Sequence, residues 1–334
     1  MKLSRKLVVR LGLGLIFAVS LLLIERHMMS PVLSSINKPS RPVDVAKIKS
    51  GPYPWQTKFN SPECLELRST PPGSKALGTM GVGPRAKCFL SEADSRDHKR
   101  EVEPSFDISL AHRVIYLPVM KAGTQMFQEV FRTRLRGRRI VTEKSLLEHL
   151  AKHNMKLDQF FVFSFVREPF KMFVSSYEEV NKYVMNNRTR TRGFAEIPKT
   201  DEPARARQCL NNIQQGQFTG LIPAHMYTQV WKLNRCRVKV DFVGKLENVD
   251  EDWRTIETKL GLEHKPLPVI HAAGGAGWVK RTKTDPPTVT SKQLLGRYET
   301  DPRPEFKQLT REVCEYYKSD FECFGYDKST CPVD

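Results

Sequence analysis

Short apolar runs alternate in the second two thirds of the chain with segments whose apolar residues recur at helical spacing. Residues 114–117 (VIYL) and 160–166 (FFVFSFV) are rich in strand-forming residues, and the second run is typical of a strand covered on both faces. A third strand is predicted at residues 239–243. Four helices are predicted, one after residue 123 and the others through residues 170–177, 250–260 and 304–318. This alternation predicts an α/β fold with a central, mainly parallel sheet flanked by helices, whose ligands bind at the carboxyl ends of the strands.

An apolar run at residues 7–24 lies near the N-terminus, and its basic flank precedes it. Its 18 residues, at about 1.5 Å each in a helix, nearly cross a thin bilayer of about 27 Å. The charge asymmetry predicts a single-pass type II anchor. The chain then divides into a cytoplasmic tail (1–6), the signal anchor (7–24), a luminal stem and pre-domain segment (25–104) and a globular domain (105–334). A cleaved signal peptide is the alternative interpretation.

The chain is strongly basic, with 54 Lys and Arg against 37 Asp and Glu and a formal net charge of +17. Such a balance favours polyanionic partners: nucleic acid, anionic lipid, phosphorylated cofactors or acidic glycans. A luminal location removes nucleic acid from that set. A run of arginines could contact an acidic glycan or simply form a solvated face. It comprises Arg132, Arg134, Arg136, Arg138 and Arg139.

Seven cysteines follow the predicted anchor, and an oxidising lumen would pair most of them and leave at least one over. Proximity along the chain predicts disulfides between Cys209 and Cys236 and between Cys314 and Cys323. No pair has the CxxC spacing of a zinc site, so no structural metal is expected. The sequon at Asn187 agrees with luminal exposure of a glycoprotein.

Two turns between a strand and a helix carry anion-binding residues. The first turn (residues 118–124, PVMKAGT) places Lys121, Gly123 and Thr124 where a helix begins, so that amides, the helix dipole and a cation meet. It is not a Walker A loop, because Lys121 precedes Gly123. An ordinary turn with a solvated lysine is the alternative.

The second turn (residues 166–170, VREPF) places Arg167 at the end of the buried strand, two helical turns before Ser175. A guanidinium there can bind a phosphate through two hydrogen bonds, although it could also pair with a local carboxylate. Two such turns on separate strands of one sheet suit a ligand with phosphates at both ends.

With these turns in place, the sequence resembles the membrane-bound carbohydrate sulfotransferases, in particular the group that includes the chondroitin sulfotransferases. The resemblance extends through residues 163–177 (FSFVREPFKMFVSSY), 241–248 (DFVGKLEN) and 317–327 (YKSDFECFGYD), in the order of that family. It implies a P-loop-like sulfotransferase fold, Golgi residence, and transfer of a sulfuryl group from 3′-phosphoadenylyl sulfate (PAPS) to a hydroxyl of a carbohydrate, with an acidic glycan as one option for the acceptor. No metal is required.

The resemblance also implies roles for residues of both turns. Lys121 would stabilise the charge that grows on the bridging oxygen of the donor. Arg167 and Ser175 would hold the 3′-phosphate. The 5′-phosphate would be bound by Lys121 with the backbone amides of Ala122, Gly123, Thr124 and Gln125 and the Thr124 hydroxyl. Gln125 departs from the family, which usually has Ser or Thr at that position.

The acceptor hydroxyl needs a general base, and a histidine suits neutral pH. His225 lies in a His-x-x-x-Gln stretch similar to one in the family, so it is the predicted base; Glu179 is the alternative, and a purely structural histidine is equally open. Two other functions compete with sulfuryl transfer. One is a Golgi glycosyltransferase that holds a metal with Asp250 and Asp252, and the other is a non-catalytic luminal glycan-binding protein.

Overall fold

In the computed structural model, the described residues are 105–185, 201–215, 225–234, 238–268 and 303–329, together with residues 197, 296 and 331. The predicted anchor, the stem, the sequon and three of the cysteines lie outside these residues. No helix among the described residues is long and apolar enough to span a membrane.

Five strands form one sheet in the order β3-β1-β2-β4-β5 within the described residues. They are β1 (Ser105–Ser109), β2 (Val114–Tyr116), β3 (Arg138–Val141), β4 (Phe161–Val166) and β5 (Phe242–Lys245). β2, β4 and β5 run parallel, whereas β1 pairs antiparallel with both β2 and β3. The described sheet is therefore mixed, and the mainly parallel sheet that we predicted is limited to β2, β4 and β5.

Eight helices surround this sheet in the described part of the chain. They are α1 (Thr124–Thr133), α2 (Glu143–Lys152), α3 (Pro169–Met185), α4 (Glu202–Gln214), α5 (Gln229–Asn234), α6 (Val249–Leu260), α7 (Pro304–Tyr316) and α8 (Lys318–Phe324). The four predicted helices are confirmed as α1, α3, α6 and α7, and the third predicted strand is β5, which begins three residues later than expected. The sequence did not predict α4, which buries the polar side chains of Glu202, Arg205 and Asn212.

Aromatic side chains fill the space between the sheet and helices α1 and α6. Phe127 of α1 stacks on Phe165 of β4 with ring centroids 4.2 Å apart, and Trp253 of α6 lies 5.6 Å from the same Phe127 ring. The opposite face of the sheet packs against residues of α2, α5 and α8. β4 is thus buried along its whole length, as its apolar sequence predicted.

The disulfides correct both predicted pairings. Cys314 of α7 is bonded to Cys331, with their Cα atoms 5.9 Å apart, and Cys209 is a buried free thiol. Cys323 is also disulfide-bonded, but it lies in the core against the sheet, whereas Cys314 packs on a separate core formed mainly by α3, α4 and α7. Proximity in sequence failed because the boundary between α7 and α8 sends these two cysteines into different cores.

Gly244 of β5 offers a test of this packing. A Cβ atom added there would lie 2.6 Å from Cζ of Phe165, whose ring is fully buried and stacked on Phe127. The Gly244→Ala variant should therefore lose about 1–3 kcal/mol of unfolding free energy, measured by urea denaturation, because the ring has no space to move away. Gly296→Ala is the matched control, since a Cβ there meets no atom within 4 Å. Equal stability of the two variants would contradict the close approach of β4 and β5.

Candidate functional site

The first turn connects β2 to α1 in a conformation that side chains rarely adopt. Lys121 and Gly123 both have positive φ angles, 69° and 80°. A left-handed lysine costs roughly 1–3 kcal/mol, which the rest of the turn must offset. The Thr124 hydroxyl donates to the carbonyl of Val119 at 2.8 Å and helps to hold the turn closed. The strained backbone therefore presents the Lys121 side chain at the N-terminus of α1.

The Lys121 side chain reaches helix α3. Its Nζ atom lies 3.1 Å from Oε2 of Glu179, and the side chains are 21% and 29% exposed. α3 begins directly after the second turn, so this ion pair joins the first turn to the element that follows the second. The structure thus brings together the predicted catalytic lysine and the alternative base.

The second turn is held by a residue that we did not predict as part of the site. Gln229 of α5 accepts a hydrogen bond from the backbone N–H of Arg167 at 2.8 Å and donates to the Arg167 carbonyl at 2.7 Å. The buried carboxylate of Asp320 in turn accepts hydrogen bonds from the backbone N–H groups of Gln229 and Val230, both at 2.8 Å. Helix α5, itself held by Asp320 of α8, therefore fixes the position of the Arg167 backbone.

The Arg167 guanidinium points toward the first turn. Its Nη1 atom lies 3.5 Å from the carbonyl oxygen of Lys121, so the two predicted anion-binding turns are direct neighbours. Burial lowers the pKa of Arg167, and the negative charges of Glu247 and Glu168 oppose that shift. The two turns therefore bring two cationic residues into one site, and such a site suits a ligand with several phosphates.

Two glutamates and a tyrosine form a hydrogen-bond network at the second turn, next to Arg167. Glu168 accepts hydrogen bonds from the backbone amides of Phe170 and Lys171, and its own amide donates to Glu247 at 2.9 Å. Glu247 also accepts a 3.0 Å hydrogen bond from the Tyr326 hydroxyl. Two segments that the sequence analysis linked only by resemblance, 241–248 and 317–327, thus meet at the second turn.

Residues 104–327 match the model of the Sulfotransferase family. The chain belongs to the sulfotransferase family. No solved structure matches it. The family match covers all five described strands and both turns, and it identifies the protein as an enzyme that transfers sulfate.

The remaining residues predicted to bind the donor of this sulfotransferase lie in different environments. Gln125 is exposed on the first turn of α1, and Ser175 is partly exposed on α3. Ala122 differs from the expectation, because it is fully buried and its amide donates to the carbonyl of Val119 at 3.1 Å. The backbone amides left to face a phosphate at this helix N-terminus are those of Gly123, Thr124 and Gln125.

His225 lies behind the ion pair of the sulfotransferase site. Its backbone carbonyl accepts hydrogen bonds from Ser176 at 2.8 Å and Lys232 at 3.3 Å, and only 9% of the residue is exposed. Burial lowers the pKa of His225 to about 3; the positive charges of Lys121 and Lys232 add to this shift, and Glu179 opposes it. The imidazole is thus neutral at physiological pH and within electrostatic reach of Lys121 and Glu179.

The acidic pair that suggested a metal-dependent glycosyltransferase has a structural task. Asp252 is buried and accepts a 2.6 Å hydrogen bond from the backbone N–H of Lys245, which ties α6 to the end of β5. Asp250 lies on the exposed side of α6. Within the described ranges, no group of three or more His, Cys, Asp and Glu side chains is arranged to hold a metal ion.

The arginine run is divided among several contacts. Arg132 pairs with Glu129 on α1, Arg139 pairs with Asp107 on β1, and Arg134 donates to the carbonyls of Lys265 and Pro266. Arg136 and Arg138 are exposed. The run therefore does not form one continuous surface for a glycan.

The pKa of His225 predicts a specific dependence of stability on pH. Between pH 6.5 and about 3 the unfolded chain binds a proton at this imidazole that the folded chain excludes, so stability falls as the pH falls through that window. This single group should contribute a slope approaching about 1.4 kcal/mol per pH unit. Urea unfolding of His225→Gln at pH 7 and pH 5 should show a smaller loss than the wild type. The exposed His153→Gln is the matched control and retains the His225 contribution; equal slopes for all three proteins would contradict the burial of a neutral His225.

Proposed function

We propose that this enzyme is a PAPS-dependent sulfotransferase that transfers a sulfuryl group to a hydroxyl of a carbohydrate acceptor through a P-loop-like sulfotransferase fold. The observation that carries the proposal is the contact between the two turns, in which the Arg167 guanidinium lies 3.5 Å from the Lys121 carbonyl. Family membership supports sulfuryl transfer, and the paired cationic turns support a donor with two phosphate groups.

The two turns divide the donor between them. Lys121 and the amides of Gly123, Thr124 and Gln125 hold the 5′-phosphosulfate, where helix α1 adds its positive dipole. Arg167, with Ser175 two helical turns later, holds the 3′-phosphate. A donor without a 3′-phosphate forgoes the charged hydrogen bonds to the half-buried Arg167, which gives the site its selectivity.

Transfer combines two bond changes at the sulfur atom with the transfer of one proton. The acceptor oxygen forms a bond to sulfur, the bond from sulfur to the bridging phosphate oxygen breaks, and the acceptor proton moves to a base. Negative charge grows on the leaving oxygen, where the Lys121 ammonium stabilises it. His225 and Glu179 both lie beside Lys121 as candidate bases, and the sequence favoured His225.

The proposed compartment is based on the N-terminal segments of the chain, and the proposed acceptor is based on its net charge. Residues 7–24 anchor the enzyme as a single-pass type II protein of the Golgi membrane, with residues 25–104 as a luminal stem and the catalytic domain (105–334) in the lumen. The net charge of +17 suits an acidic glycan as acceptor, and the lumen contains no nucleic acid to compete.

Both competing functions are less consistent with the site. A glycosyltransferase would need Asp250 and Asp252 for a metal, but Asp252 is buried and bonded to the Lys245 amide. A non-catalytic glycan-binding protein would not need a strained lysine turn in contact with a half-buried arginine. Neither alternative explains why the two turns meet.

Transfer of radiolabelled sulfate from PAPS by the full-length chain, offered a panel of desulfated glycans, tests this function. The Lys121→Ala variant should lose about 10²–10³-fold in turnover, because the leaving oxygen loses its cation. Lys144→Ala is the matched control, since Lys144 is an exposed lysine that pairs only weakly with Glu148, at 3.9 Å, on α2.

Chelator should leave transfer unchanged, because the proposed mechanism uses no metal. Loss of transfer with chelator, or full activity of Lys121→Ala, would refute the proposal. Binding of PAPS without transfer to any glycan in the panel would show that none of these glycans is an acceptor. That result would not contradict the use of PAPS as donor.

A further inference from the structure

The ion pair between Lys121 and Glu179 engages the cation that the proposed function assigns to the phosphosulfate of the donor. The 3.1 Å distance uses the Lys121 ammonium, which is the group that the leaving oxygen needs. A donor anion and the Glu179 carboxylate therefore compete for one cation. Binding of the donor can then break this ion pair and allow the carboxylate to accept a proton.

Accessibility distinguishes Glu179 from His225. The Glu179 side chain is 29% exposed and lies on the partly exposed face of α3 with Ser175 and Glu178. His225 is only 9% exposed, and its backbone carbonyl is covered by Ser176 and Lys232. An acceptor hydroxyl that approaches sulfur from solvent meets the carboxylate before it meets the imidazole.

Charge supports the same assignment. His225 is held neutral with its pKa at about 3, so it is a weak base in the free enzyme. Glu179 counteracts the effect of Lys121 on His225, so the carboxylate and the imidazole lie within electrostatic reach of each other.

We propose that Glu179 is the general base of the transfer step and that donor binding frees it from its ion pair with Lys121. This inference rests on the proposed use of PAPS. His225 is then a positioning residue whose neutral ring fills the space behind the ion pair.

The step balances as follows. The acceptor O–H bond breaks and its proton goes to the Glu179 carboxylate, while the acceptor oxygen forms a bond to sulfur. The bond from sulfur to the bridging oxygen breaks, and its electron pair stays on that oxygen, which leaves as the 5′-phosphate of adenosine 3′,5′-bisphosphate beside Lys121. The protonated Glu179 returns its proton to solvent when the products depart and then pairs again with Lys121.

The Glu179→Gln variant tests both proposed roles of Glu179, as general base and as competitor of the donor for Lys121. It removes the carboxylate charge and keeps the shape of the side chain. Binding of adenosine 3′,5′-bisphosphate to the full-length chain, measured by calorimetry, should tighten by about two- to fivefold, since the nucleotide no longer competes with an ion pair. Turnover with PAPS and a glycan acceptor should fall by about 10²–10⁴-fold. A merely structural role for Glu179 would weaken both properties together.

Two further variants keep the test decisive. Glu178→Gln is the matched control, because it removes the neighbouring carboxylate on α3 and should change neither binding nor turnover. Glu179→Asp retains a carboxylate and should keep more turnover than Glu179→Gln. Equal urea midpoints for all variants establish that they fold.

Unchanged turnover in Glu179→Gln overturns the assignment of the base, and unchanged or weaker nucleotide binding overturns the competition for Lys121. A loss of turnover in His225→Gln that exceeds the loss in Glu179→Gln also overturns it, in favour of His225. If the wild-type chain binds no adenosine 3′,5′-bisphosphate, the proposed function fails before this inference is reached, so the two failures are distinguishable.

Discussion

The parallel pairing of β2 with β4 is the constraint on which the site depends. Tyr116 lies opposite Phe163, and the pairing continues beyond β2 through the 2.9 Å hydrogen bond from the Leu117 amide to the Phe163 carbonyl. Because parallel strands end at the same edge, this register delivers the first and second turns side by side. The contact from Arg167 to the Lys121 carbonyl is the result, and neither turn alone would bind a ligand with two phosphates.

Bringing two cations into one partly buried site carries an electrostatic cost that the protein offsets with nearby carboxylates. Glu179 pairs with Lys121, while Glu168 and Glu247 act on Arg167 from behind the second turn. The arrangement around Arg167 is fixed by backbone amides and by Tyr326, whereas the ion pair between Lys121 and Glu179 is partly exposed to solvent. An anionic donor can therefore displace Glu179 from Lys121 more easily than it can displace Glu168 or Glu247 from their positions near Arg167.

Local patterns in the sequence were sufficient for the elements that build the site, because the apolar periods of β4, α1 and α3 are strong and their turns contain Gly or Pro. Non-local features were not predictable in this way. The amide side chain of Gln229 fixes Arg167 from another helix, and Cys314 pairs with Cys331 around a change of direction in the chain. Each depends on tertiary contacts that no window of sequence contains. The anchor at residues 7–24 and the Golgi location stay predictions.

We propose that the two turns form one site, in which Arg167 recognises a 3′-phosphate. The most direct test of this recognition compares the binding of adenosine 3′,5′-bisphosphate and adenosine 5′-monophosphate to the wild-type chain and to Arg167→Met by calorimetry. If Arg167 binds the 3′-phosphate, the wild type should prefer the bisphosphate by about tenfold or more, and the variant should bind both nucleotides with nearly equal affinity. Equal affinities in the wild type, or a preference that survives in Arg167→Met, would contradict it.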